Sequence, residues 1–77
     1  MKEFIEFIAK HLVDHPENVV IEEKTPEDNK VVLALKVKAD DVGKVIGKQG
    51  KTAQAMRTLL TAIAAKEGKR AVLEILD

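Results

Sequence analysis

Two glycines three positions apart, in Gly47-Lys48-Gln49-Gly50, constrain this chain more than any other feature. They sit inside Val45-Ile46-Gly47-Lys48-Gln49-Gly50-Lys51-Thr52, with apolar residues before them and helical spacing after them. Glycine lets a backbone turn sharply and leaves no Cβ between it and a ligand. The amides that open the following helix are then bare and partly positive, which suits a phosphate. Lys44, Lys48 and Lys51 place cations around the same spot. A loop built this way can hold a nucleic-acid backbone. The tetrapeptide alone is also compatible with an ordinary turn, so the rest of the chain has to decide.

Helical spacing of Phe4, Ile5, Ile8, Leu12 and Val13 predicts a first amphipathic helix over about residues 2–14. Pro16 ends it, because proline disfavours helix in the residue before it. Val19-Val20-Ile21 reads as a strand and 25–29, Thr-Pro-Glu-Asp-Asn, as a turn. Val31 to Lys38 alternates as a second strand, with Val31, Leu33, Leu35 and Val37 on one face. These two strands are expected to form a hairpin. Asp40 or Asp41 is placed to cap a short helix over 41–46, which runs into the glycine loop. A longer helix is expected over 51–66, burying Ala53, Met56, Leu60, Ile63 and Ala64, with Leu59 at the edge and Gly68 as its stop. Residues 71–76 read as a last strand. Helices packed on one face of a three-stranded sheet make an α+β domain. At 77 residues the chain is expected to form a single domain over 1–77.

Thirteen basic and thirteen acidic side chains cancel overall, but they are sorted along the chain. Residues 42–70 hold seven basic side chains against Glu67 alone. Residues 1–41 hold six lysines against ten acids. A basic block of this kind steers polyanions to one surface even when the whole protein is neutral. The N-terminus has acids inside its apolar pattern and does not read as a signal peptide. No apolar run approaches the roughly 20 residues of a membrane span. Cysteine is absent, so neither a disulfide framework nor a thiolate metal site is available. The expectation is a soluble cytoplasmic protein.

Several chemistries are disfavoured by particular residues. Gly50-Lys51-Thr52 imitates the end of the phosphate-binding pattern G-x-x-x-x-G-K-[ST], but the position that needs the first glycine is Val45. Serine, cysteine and tyrosine are absent, which leaves threonine, lysine and carboxylates as nucleophiles. His11 and His15 are four apart, but Leu12 stands where a zinc-protease helix carries its glutamate. They read as helix-end histidines, and no cofactor is implied. Phe4 and Phe7, the only aromatics, read as core or interface packing, so the chain has no platform on which bases stack.

Val45-Ile46-Gly47-Lys48-Gln49-Gly50-Lys51, set between a short and a long helix, resembles the signature of KH domains, and the element order α-β-β-α-(GxxG)-α-β resembles the type II arrangement of that fold. Pro16 to Val20, the Ala39 to Gly43 approach and the motif through Ala53 are similar to the small bacterial KhpA family of stand-alone KH proteins. The resemblance implies a groove that grips about four single-stranded nucleotides. Gly47, Lys48, Gln49 and Gly50 would follow the sugar-phosphate backbone, and Val45 and Ile46 would help form an apolar floor under the bases. The strand from Val31 to Lys38 would form the opposite wall. Lys44, Lys51 and Arg57 would add charge, with Arg57 equally readable as surface charge or an interface ion pair. The resemblance also implies RNA-chaperone or post-transcriptional work, linked to cell elongation and envelope growth. Its implied partners are single-stranded RNA, a second copy, and a larger KH protein of the KhpB (Jag) type. The rival expectation is an interaction module, whose partly exposed Val72, Leu76 and Leu59 serve dimerisation while RNA binding is weak or borrowed from a partner.

Overall fold

In a computed structural model of the chain, which describes residues 1–76, the first apolar stripe winds into helix α1 (Lys2–Leu12). Ile5 and Ala9 are fully buried, and Phe4 and Ile8 pack against the core from its margin. The helix stops two residues short of the expected end. Val13 is already extended, and its amide makes the last helical bond, to Ala9 O at 3.2 Å. The next two amides, of Asp14 and His15, donate instead to the side chain of Asp41. Pro16 then opens a single 3-10 turn, Pro16–Asn18.

Strand β1 (Val20–Glu27) runs straight through the predicted turn at Thr25-Pro26. Two features permit it. β1 is an edge strand, where a missing N–H need not cost a ladder bond. The register with its neighbour also shifts between Lys24 and Glu27, as at a bulge. Asp28 and Asn29 alone form the connection to β2 (Lys30–Lys36), and the expected hairpin results.

β2 is central, antiparallel to β1 and parallel to β3 (Arg70–Leu76). A parallel pair needs a long crossover, and here it consists of a 3-10 turn (Ala39–Asp41), helix α2 (Val42–Ile46), the glycine loop and helix α3 (Lys51–Lys66). Both bounds of α3 match the sequence expectation. Ala53, Met56, Leu60 and Ala64 are its buried stripe, Ile63 lies at the margin, and Leu59 is half exposed. The helix ends at Gly68 (φ +71°), whose amide donates to Ala65 O while that of Lys69 donates to Ala64 O, a paired closure that satisfies the last carbonyls.

Val31, Leu33 and Leu35 of β2, and Val37 just past its end, face the helices, with Ile21 of β1 and Leu73 of β3 beside them. They close a core with Ile5, Val45, Met56 and Leu60. The architecture is therefore α+β, a three-stranded mixed sheet with its helices on one face. Of the two packing roles expected for Phe7, the core one does not hold. The residue lies opposite the buried stripe of α1, 63% exposed, with its ring centroid 4.4 Å from that of His11.

Candidate nucleic-acid interface

The short helix α2 has one buried side chain, Val45, which anchors it to the core. It ends where the Gly47 amide donates to Gly43 O at 2.9 Å. Gly47 then takes φ +78° and ψ 174°, a region open essentially to glycine alone. Lys48 to Gly50 make one tight turn, in which the Gly50 amide donates to Gly47 O at 3.1 Å. Gln49 (φ +56°) and Gly50 (φ +74°) are both left-handed, and Gln49 is the only non-glycine with positive φ among the described residues. No side chain caps the start of α3, so its first amides keep the partial positive charge of a helix N-terminus.

The structure brings together six of the nine site residues proposed from sequence. Lys48, Gln49 and Lys51 are exposed around the half-buried Gly47 and Gly50, and Ile46 offers a half-buried aliphatic surface beside them. Val45 has no exposed surface, so it supports a floor from beneath and cannot touch a base in this conformation. The expected wall of β2 is likewise mostly covered. Both edges of residues 30–36 are paired, and only Lys36 and Lys38 are exposed toward its end.

Lys44 and Arg57 are engaged elsewhere. Lys44 Nζ lies 2.9 Å from Asp14 Oδ2 and 3.9 Å from Asp41 Oδ1. The hydrogen bond and charge of Asp14 hold its ammonium pKa above the ordinary lysine range, against a smaller opposing effect of burial. Arg57 Nε donates to the carbonyl of Leu73 at 3.3 Å, which ties the middle of α3 to β3.

Asp41 corrects the sequence reading. It stands at the N-cap position of α2 but makes no cap bond. Its carboxylate is fully buried and accepts from the Asp14 amide (3.3 Å), the His15 amide (3.0 Å) and His15 Nδ1 (3.1 Å). Burial alone would raise its pKa. The Asp14 amide, the His15 ring and the His15 amide outweigh that and hold it below the usual carboxylate range. The signal in the sequence was the Asp14-His15-Pro16 turn, since a helix broken by proline leaves amides that need an acceptor. His15 lies past the end of α1, and the ring of His11 instead donates to Phe7 O at 2.8 Å. Among the described residues no cluster of three or more histidine, aspartate or glutamate side chains is placed to hold a metal.

Comparison with known proteins agrees with this fold and loop. The family described as "KhpA/KhpB, KH domain" matches residues 2–75. The chain is 53% identical over 76 residues to the RNA-binding protein KhpA of Clostridium perfringens (strain 13 / Type A), covering 99% of this chain and all of that one. It is 51% identical over 77 residues to the protein of the same name in Aquifex aeolicus (strain VF5), with 100% and 96% covered. With the Listeria monocytogenes (strain ATCC BAA-679 / EGD-e) protein of that name it shares 49% over 79 residues, with both chains fully covered. No solved structure gives a significant match. A helix–glycine loop–helix crossover between parallel strands, matched over nearly the whole length by these relatives, places the chain in the KhpA/KhpB family of KH domains.

Proposed function

We propose that this chain is a non-enzymatic, single-domain protein that binds single-stranded RNA, with about four nucleotides of sugar-phosphate backbone running along Gly47–Gly50. The observation that carries this reading is the loop itself. Gly47 has no room for a side chain, the α3 amides are uncapped by any side chain, and Lys48 and Lys51 stand exposed beside them. Backbone, amides and cations thus converge where a phosphate can approach closely. Ile46 supplies the apolar contact, while Lys44 and Arg57, held in other bonds, act through the field of the basic block. The relatives named RNA-binding protein KhpA support the choice of RNA.

Fluorescence anisotropy of a labelled single-stranded RNA pool at low salt tests it. The wild type is expected to bind, and a folded Lys48→Asp/Gln49→Asp variant is expected not to. Equal binding by both removes the loop from the interface.

A second reading, self-association or pairing with a KhpB-type protein, is favoured by the half-exposed Leu59, Val20, Val72 and Leu76. The two readings are compatible, because pairing two weak sites raises avidity through effective concentration. A cytoplasmic role as an RNA chaperone or post-transcriptional regulator, tied to cell elongation and envelope growth, rests on the family resemblance and is proposed with it. No helix among the described residues is long and apolar enough to cross a membrane.

A further inference from the structure

The carboxylate of Asp41 is fully buried, and a buried charge is costly unless it is paired and hydrogen-bonded. Its donors come from far back in the chain, the amides of Asp14 and His15 and the His15 ring. Lys44 closes the set, reaching Asp14 at 2.9 Å and Asp41 at 3.9 Å. Four side chains therefore join the turn after α1 to the first turn of α2. Helix α2 has five residues and ends at Gly47. A helix that short has little stability of its own, so its direction is set by its anchors, Val45 in the core and Asp41 at its start.

We propose that Asp41 is a positioning residue for the glycine loop: by tying the 14–15 turn to the start of α2, it fixes the angle at which Gly47–Gly50 is presented to RNA. The RNA half of this statement rests on the function proposed above; the loop geometry does not. An aspartate that only started its helix would turn its carboxylate onto the first amides of that helix. This one makes no such bond, and all its hydrogen bonds come from across the fold. The titratable and charged groups around it are His15 and Asp14 from the turn, Lys44 from α2, and Asp40 as its chain neighbour. None belongs to the glycine loop, so perturbing the clasp removes no phosphate contact.

Asp41→Asn tests this. It keeps the shape and one acceptor oxygen but turns an NH2 toward donors that need an acceptor. His15→Ala is the milder companion, because it removes the ring and keeps both backbone donors. The readouts are the 1H–15N spectrum, followed at Gly47, Gly50, Asp14 and His15, and RNA anisotropy as a function of salt. In Asp41→Asn the amides of Gly47 and Gly50 are expected to move. RNA affinity is expected to fall by at least about fivefold, the lower end of coupling between linked sites, with the salt slope unchanged. In the wild type, acidification through the Asp41 titration moves the same two amides, and in Asp41→Asn that movement is lost. His15→Ala moves them less, in the same direction. Unmoved loop amides in a folded Asp41→Asn protein overturn the proposal. If Asp41→Asn does not fold, unmoved loop amides in His15→Ala overturn it. A wild type that binds no RNA overturns the function proposed above, and the loop amides then decide the clasp alone.

Discussion

Thr52 fills the space that a side chain at position 47 would need. A Cβ built on Gly47 would lie 2.6 Å from Thr52 Cβ and 2.9 Å from the Thr52 amide nitrogen. At Gly50 the same addition meets nothing within 4 Å. The two glycines of the loop are therefore required for different reasons. Gly47 needs both its backbone conformation and its bareness, while Gly50 needs only its left-handed φ of +74°.

Alanine at the two positions should separate these needs. Gly50→Ala is expected to cost about 1–2 kcal/mol, the ordinary price of a left-handed residue with a side chain. Gly47→Ala should cost more than about 2 kcal/mol, since its backbone region alone strains other residues by about 1–3 kcal/mol and the Thr52 contact adds to that. Thr52→Ala should relieve Gly47→Ala only in part, because the Cβ and amide of residue 52 remain. Urea denaturation of the three variants reads this directly. Equal costs at 47 and 50 would mean that Thr52 moves aside freely.

Phosphate contact predicts a salt signature. RNA affinity should fall with salt, and replacing Lys48 or Lys51 with alanine should each reduce the log–log slope by about 0.7, the value per phosphate neutralised on a single strand. Lys44→Ala should change the slope less, because its ammonium is already paired with Asp14. Anisotropy titrations at four or five salt concentrations suffice. A slope unchanged by both loop substitutions would place the phosphates elsewhere.

Much of this arrangement was legible in the sequence, and the exceptions have physical causes. Helix α3 was readable to the residue because its stripe, the preceding Gly50 and the following Gly68 all act locally. Strand β1 was underestimated because Pro26 is a turn residue by propensity, and only an edge position with a register shift makes it tolerable in a strand. Phe7 reads as packing by its chemistry, yet the angle of α1 leaves it in solvent. The glycine loop and its lysines were evident, since contiguous residues make a contiguous site. Asp41 was not: its partners are 26 and 27 residues away, and nothing local distinguishes it from the exposed Asp40.

Arg57 should behave as a structural residue rather than an RNA contact. Its Nε donates to Leu73 O on β3, a strand with no neighbour on its other side among the described residues. Unpaired strand edges invite association, and a charged side chain across one discourages it. Arg57→Ala is expected to lower stability by about 0.5–1.5 kcal/mol, the net worth of one such hydrogen bond. It should also increase self-association at high concentration while changing the RNA salt slope less than Lys48→Ala does. Thermal denaturation and sedimentation velocity measure the first two effects. A slope change equal to that of Lys48→Ala would return Arg57 to the RNA interface.

Acid should expose the contribution of Asp41 with a definite sign. Its carboxyl pKa is lower in the folded protein than its ordinary value. A group depressed in this way stabilises the fold at every pH above the unfolded value, near 3.9. That stability is lost as the pH falls through the lower, folded value. Wild type and Asp41→Asn should thus differ most in melting temperature near neutral pH. The gap should hold down to about pH 5, and it should close below pH 4 as the wild-type carboxyl is protonated. Lys44 works in the opposite direction. Its raised pKa gives stability that is present below the ordinary lysine value and disappears only as the pH rises through the folded one. Lys44→Gln should therefore track the wild type in acid and differ little from it anywhere, because its partner Asp14 is largely exposed and solvent screens exposed pairs. Melting curves from pH 3 to pH 8 distinguish the two. A wild-type–Asp41→Asn gap that widened toward acid would mean that the carboxyl is protonated in the native fold at neutral pH, and that the His15 and Asp14 amides do not hold it charged.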